Sequence, residues 1–564
     1  MTDWPKSKSL VAPREAVAVL GACMVASIAA GWWSWTNNAM LNYGDAVAHL
    51  HIARRVLDSR FPGFTQLGSV WLPLPHILLL PFVQIYSWWA NGLAAVLPSS
   101  LAYLAACVGF YRLARRWMQP AAAALALLFL AANPNLLYLQ TTAMTEPLFL
   151  CEMIWIAVWT VELRSSLETE KKLNRNALGL LAATLIAAVF TRYDGWVMAL
   201  LAWTGAGILL ARRGLLRNGA FWIASSLVIA APIAWFVYNA FGFGDWLFFM
   251  RGPYSAAAIE ARTSVPGFPP HPGWHNPWVA LLFFLKAAEK DAAAGRYGNL
   301  TLVLAVIGTV WAWVTQRRRA IVWAIALLWL PIPFYAYSVA YGSVPIFLPV
   351  WWPYSYYNLR YGLELLPAMA LGLGFIAQFA FSAVRDFKPA PANRRESRRW
   401  VACAALLLYL TVALNAVQMI RERPLVYVEG IKNAEARRPY ELEIPPVLHK
   451  LLAQRPGSSV LTLSLDPEII ALTGIPLRQT INEGDRQYFR DALADPAAHA
   501  PIILAFDGDA IDQAVHAHPE GLTLVRRFQT PYEPGATIYV SGTPAARHPG
   551  NSAGAVIASA KEIE

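Results

Sequence analysis

Long apolar runs alternate with short polar segments from about residue 15 to 420, and beyond that the apolar runs become much shorter. Runs near twenty residues match the length of a bilayer crossing. Those at about 15–36, 99–114, 120–138, 177–191, 219–239, 361–383 and 400–419, with four others between them, predict about eleven membrane helices. Residues 71–89, WLPLPHILLLPFVQIYSWW, are as apolar, but Pro73, Pro75 and Pro81 argue against a straight crossing. That stretch is expected to lie at the interface or to re-enter. Residues 240–297, which include GFPPHPGWHNP, read as a long outer loop that is not regular over its whole length. From 421 onward, VLTLSL (460–465), PIILAF (501–506), LTLVRRF (522–528) and TIYV (537–540) predict strands, with PEIIAL, DRQYFRDALAD and DAIDQAVHAH as helices between them. The chain thus divides into a membrane domain over 1–420, a small α/β domain over 421–542 and a disordered tail over 543–564.

Charge sets the orientation of these spans. The Lys and Arg residues gather in clusters such as Arg112, Arg115 and Arg116, Arg317 to Arg319, and RDFKPAPANRRESRR, and all the heavy clusters fall on one side of the predicted spans. That side is cytoplasmic. The N-terminus is then inside, and the first outer loop, 37–98, and the C-terminal domain face the extracytoplasmic side, the periplasm in the case of an inner (plasma) membrane. A net charge of +11 would suit a nucleic-acid partner if it formed one patch, but spread in this way it suits lipid headgroups. The chain is 57% hydrophobic, with 24 Trp, 22 Tyr and 25 Phe, which fits a polytopic α-helical membrane protein. Its four cysteines all lie in apolar segments without metal-ligand spacing, so neither a disulfide framework nor a zinc site is expected.

Within the first outer loop, YGDAVAHLHIARRVLDSR (43–60) is a polar interruption. A carboxylate beside a bilayer is costly, which makes Asp45 a functional candidate. Gly44 is a candidate N-cap, Asp45 falls in the first turn of a helix lying on the membrane surface, and His49 follows one turn later on the same face. Arg54 and Arg55 read as headgroup anchors. Two more polar sites share the outer side: Glu146 in MTEP, and Arg192 with Asp194 in TRYDGW. Paired carboxylates suit a group transfer in which one is the general base, and Arg192, Arg251 and Arg360 are cations able to stabilise a phosphate leaving group. Asp45, Glu146 and His275 could together hold one divalent cation, Mg or Mn. The plainer readings are a helix-start charge for Asp45 and Glu146 and a local ion pair for Asp194 with Arg192.

An acidic residue after the first span, the run WLPLPHILL, a helix ending in YRLARRW, the step TEPLF and the segment NLRYGLELLP resemble, in that order, the GT-C membrane glycosyltransferases. The branch containing the protein O-mannosyltransferases and the lipid A aminoarabinose transferase is the most similar. The resemblance covers about residues 15–420. It implies that Asp45 is the base toward the acceptor, that Glu146 binds acceptor or metal, and that Arg360, followed by Tyr361, contacts the donor phosphate. Two departures stand out. Asp45 is followed by Ala46 where the family often has a second acid, and Trp71-Leu72-Pro73 stands where the family has Lys-Pro. His49 and His76 are the candidates to stand in for that lysine. The implied activity is inverting transfer of a sugar from a polyprenyl-phosphate donor to a hydroxyl of a glycan, lipid or protein acceptor, with no nucleic-acid partner. A secondary transporter or lipid-linked sugar flippase is the competing class, with the outer carboxylates as ion sites.

Overall fold

The computed structural model describes residues 11–169, 173–264, 267, 269–316, 320–386, 394–464 and 467–542. The basic cluster at 317–319, residues 387–393 of the basic linker, Leu465 and the 543–564 tail lie outside the described residues. The chain folds as two compact units, one of residues 1–57 and 62–435, the other of 58–61 and 436–564. The division falls inside a single helix, Leu425–Gln454, rather than at the composition change near 421.

The first unit is helical. Among the described residues, eight helical stretches are long and apolar enough to cross a membrane, from Pro13–Thr36 to one beginning at Ala402. Helices lie in each of the predicted segments, but proline divides two of them. Pro134 follows Asn133, whose side chain accepts from the Asn135 and Leu136 N–H groups at 3.0 and 3.1 Å and starts a new turn. The expected 120–138 span is therefore Pro120–Ala131 followed by Pro134–Leu139. Pro331 likewise separates Ile321–Leu328 from Pro331–Tyr341. The 71–89 stretch forms two short helices, Leu74–Val83 and Tyr86–Asn91, each too short to cross.

The 240–297 loop is regular only in part. It contains Ala256–Thr263 and a helix over Pro277–Ala292, opened by Asn276 as N-cap and Pro277 at the first position. The Asn-Pro signal for that start was present in the sequence.

The second unit holds a five-stranded sheet of β1 (Val460–Leu461), β2 (Thr480–Ile481), β3 (Ile502–Phe506), β4 (Leu522–Phe528) and β5 (Ala536–Ser541), in the order β2-β1-β3-β5-β4. β1 runs parallel to β2 and β3, while β5 pairs antiparallel with both β3 and β4. Every residue of β3 is buried, as its unbroken apolar run predicts for a central strand. Ile503 and Ala505 on one face pack with Ile511 and Val515 from the helix that follows, and with Phe489.

Candidate active site

The helix carrying Asp45 spans Gly44–Leu57. Gly44 is its first residue rather than its cap, and the Gly44 N–H donates to Asn433 Oδ1 at 2.6 Å. Tyr43 donates its hydroxyl to Val426 O at 2.7 Å, and Val47 N–H closes the first turn on Tyr43 O. The helix start is thereby fastened to the beginning of the Leu425–Gln454 helix. Most of the Gly44–Leu57 helix is buried, so it is not the surface helix its sequence suggests. Arg55 is buried and donates to Gln66 O, and Arg54 donates to Val83 O and Gln84 O. These two arginines tie loop backbone to the helix instead of anchoring headgroups.

Arg360 stands at the centre of the first charge cluster. Asn358, which starts its turn, has φ 55°, a left-handed conformation that Asn accepts more readily than most residues. Its Nδ2 donates to Pro345 O. Gly362, in the same turn, lets the Pro277–Ala292 helix approach, because a methyl there would strike Ala288 N and Asp291 Oδ2. From this turn the guanidinium meets three carboxylates: Nη2 lies 2.6 Å from Asp45 Oδ2, Nε 3.1 Å from Glu146 Oε1 and Nη1 3.3 Å from Glu429 Oε1. Glu429 Oε2 also lies 3.2 Å from the Tyr43 hydroxyl.

Arg192 forms the second cluster. It sits in extended backbone between two helices, one ending at Thr191 and the other beginning at Tyr193. Its Nε reaches Asp194 at 3.2 Å, Nη1 reaches Thr145 Oγ1 at 3.0 Å and Glu146 Oε1 at 3.4 Å, and Nη2 reaches Tyr335 Oη at 2.8 Å and Glu364 Oε1 at 3.2 Å. The Tyr335 hydroxyl donates to Glu364 Oε1 at 2.6 Å. Glu146 Oε1 therefore touches both arginines, and the Tyr361 ring has each guanidinium carbon 5.0 Å from its centroid. That distance is within cation–π range.

The structure thus brings together Asp45, Glu146, Arg192, Asp194, Arg360 and Tyr361, and the Asp45–Arg360 contact alone joins residues 315 positions apart in the chain. His49 and His76 meet each other, Nδ1 to Nε2 at 2.8 Å, with Trp71 against the His49 ring. Burial pushes His49 down to about 4 and His76 well below the usual imidazole range. A neutral ring brings one N–H donor but no positive charge of the kind a lysine would supply. Arg251 is set apart as well: its side chain is 63% exposed and its partner is Asp245 at 3.6 Å.

The three side chains expected to share a metal ion are not gathered. Among the described residues no three His, Cys, Asp or Glu side chains gather as a metal site. Arg360 stands between Asp45 and Glu146, and His275 packs between Trp274 and Tyr341. In this arrangement the two carboxylates present their oxygens to a guanidinium rather than to a shared divalent ion.

Four participants do not stand out from the sequence: Tyr43, Tyr335, Glu364 and Glu429. Glu364 had a usable signal, since it lies one helical turn past Arg360 inside an apolar run. Asp291 is a further buried acid that its sequence context does not mark. Neither of its carboxyl oxygens has a hydrogen-bond partner among the described residues, and burial next to Glu429 and Glu146 pushes it well above the usual carboxylate range.

With this geometry in hand, solved structures provide the comparison. The chain superposes on ArnT from Cupriavidus metallidurans bound to undecaprenyl phosphate with a TM-score of 0.55 and 14% identity, over 93% of this chain and 99% of that one. The Archaeoglobus fulgidus oligosaccharyltransferase in its apo form matches at a TM-score of 0.45 and 11% identity, over 88% of this chain and 70% of that one. No family model and no curated protein matches the sequence. The likeness to ArnT is one of fold.

Proposed function

We propose that this protein is an inverting glycosyltransferase that moves a sugar from a polyprenyl-phosphate donor to an acceptor hydroxyl on the extracytoplasmic side of the membrane. One observation carries the reading: a carboxylate and a guanidinium, Asp45 and Arg360, meet at 2.6 Å at the accessible edge of an otherwise buried charge cluster. Transfer from a phosphate-linked sugar needs a base for the acceptor proton and a cation for the departing phosphate, placed close together. Asp45 takes the hydroxyl proton as the acceptor oxygen bonds to the anomeric carbon. The bond from that carbon to the phosphate oxygen breaks, and the polyprenyl phosphate leaves with the electron pair and one more negative charge. Arg360 offsets that charge. Glu146, Glu429 and the Arg192 cluster hold Arg360 in register. The fold shared with ArnT, whose structure contains undecaprenyl phosphate, supports a donor of that class. The acceptor is a glycan, lipid or protein hydroxyl, and a divalent cation is assigned no step.

The test is sugar transfer by the purified protein across a panel of polyprenyl-phosphate sugars. Transfer from at least one donor, lost in Asp45→Asn, is the expected result. No transfer from any donor, with ion-coupled uptake in vesicles instead, moves the assignment to the transporter class.

A further inference from the structure

Arg360 has a carboxylate on each of its three nitrogens: Glu146 on Nε, Glu429 on Nη1 and Asp45 on Nη2. A guanidinium has five N–H donors, and a donor phosphate that approaches this one competes with the carboxylates for it. The three are not equally free to move. Glu146 and Glu429 side chains are 1% and 5% exposed, and each has a second partner, Arg192 for Glu146 and the Tyr43 hydroxyl for Glu429. Moving either would strand a buried charge, which is strongly unfavourable. Asp45 is 42% exposed, and among the described residues its one ion pair is with Arg360. Its backbone is fastened through Gly44 to Asn433 and through Tyr43 to Val426, so a change of rotamer releases the carboxylate while the helix stays in place.

The geometry points to a carboxylate-for-phosphate exchange on Arg360, in which the donor phosphate displaces Asp45 from Nη2 and the released carboxylate becomes the base, with Glu429 as a positioning residue that keeps the guanidinium still. This rests on the proposed glycosyl transfer. Before the exchange, Asp45 Oδ2 accepts from a guanidinium N–H, which holds the carboxylate against Arg360. After it, that oxygen is free and beside the phosphate that made room for it. Donor binding therefore frees the carboxylate to turn toward the acceptor. In the transfer step Asp45 gains the proton and the phosphate gains the negative charge, so Arg360 faces a dianion and a neutral acid. Once Asp45 gives its proton to water it again competes for Nη2, which favours release of the polyprenyl phosphate.

The exchange makes a prediction opposite to that for an ordinary ligand-contacting residue: removing the Asp45 charge strengthens phosphate binding. Affinity for undecaprenyl phosphate is measured on detergent-solubilised parent, Asp45→Asn, Asp45→Glu and Arg360→Gln proteins. Asp45→Asn should bind about three- to tenfold more tightly, as expected for loss of one competing, partly exposed ion pair. Asp45→Glu restores the charge and should return to parental affinity, and Arg360→Gln should lose binding. Equal or weaker binding by Asp45→Asn, with Arg360→Gln still deficient, overturns the exchange and leaves the glycosyl-transfer reading standing. Failure of the parent itself to bind overturns both.

Discussion

Two arginines in this protein are surrounded by acids in much the same way, yet the clusters differ in access. Arg192 is enclosed with Asp194, Glu364 and Tyr335, and the Glu364 side chain is fully buried. The Arg360 side chain is the more deeply buried of the two, 6% exposed against 15% for Arg192, but one of its partners, Asp45, reaches the surface. Ion pairs of similar geometry can therefore do different work. A sealed cluster specifies structure, because breaking it leaves charges uncompensated, and a cluster with one exposed member can exchange that member for a substrate.

Substitutions that strike one cluster and not the other sharpen this contrast. The largest effect is expected for Asp45→Asn in the open cluster: transfer falls by about 10²- to 10⁴-fold, the usual worth of a general base, while thermal stability changes by about 1 kcal/mol or less. A variant that loses activity only because it unfolds would show both changes together. In the sealed cluster, Arg192→Met should cost about 3–5 kcal/mol, because Asp194 and Glu364 are left without their counter-charge. Thermal melting in detergent checks it, and a melting point like the parent's would mean that the cluster is not structural.

Next in size is the pH response of the neutral histidine pair, which belongs to neither cluster. The unfolded chain protonates these imidazoles near 6.5, whereas burial keeps His49 neutral down to about 4. Between these values the unfolded state binds more protons, so stability is complete above pH 6.5 and is lost as pH falls toward 4, by roughly 3 kcal/mol from His49. His49→Gln should flatten that acid limb of the stability curve, and an unchanged limb would place the titration elsewhere. The smallest effect is Tyr335→Phe, which removes the hydroxyl shared by Arg192 and Glu364 and should cost about 1–3 kcal/mol of stability, with transfer reduced only modestly. A melting point equal to the parent's would show that the hydroxyl adds nothing to the sealed cluster.

Much of this site was legible in the sequence because a charge inside an apolar run has to be explained. Asp45, Glu146, Arg192, Asp194 and Arg360 each stood out for that reason, and all five meet in the structure. Glu429 was hidden by its neighbourhood: beyond residue 421 the sequence turns polar, and a glutamate there looks like an ordinary solvated residue. Tyr335 was hidden by abundance, one aromatic among many. Arg251 misled in the other direction, since a cation near an expected interface carries no information about its partner. The strands β3, β4 and β5 followed from β-branched runs, whereas β2 has only two residues and no pattern that could mark it. The buried character of the Gly44–Leu57 helix depends on tertiary partners such as Gln66 O and Val83 O, which no periodicity reveals.

A structure of the protein with bound undecaprenyl phosphate tests the central claim most directly. The account predicts the phosphate within hydrogen-bond distance of Arg360 Nη2, with the Asp45 carboxylate parted from the guanidinium while Glu146 and Glu429 keep their places. Phosphate density remote from Arg360, Asp45 and Glu146, with the 2.6 Å contact of Asp45 intact, would contradict it.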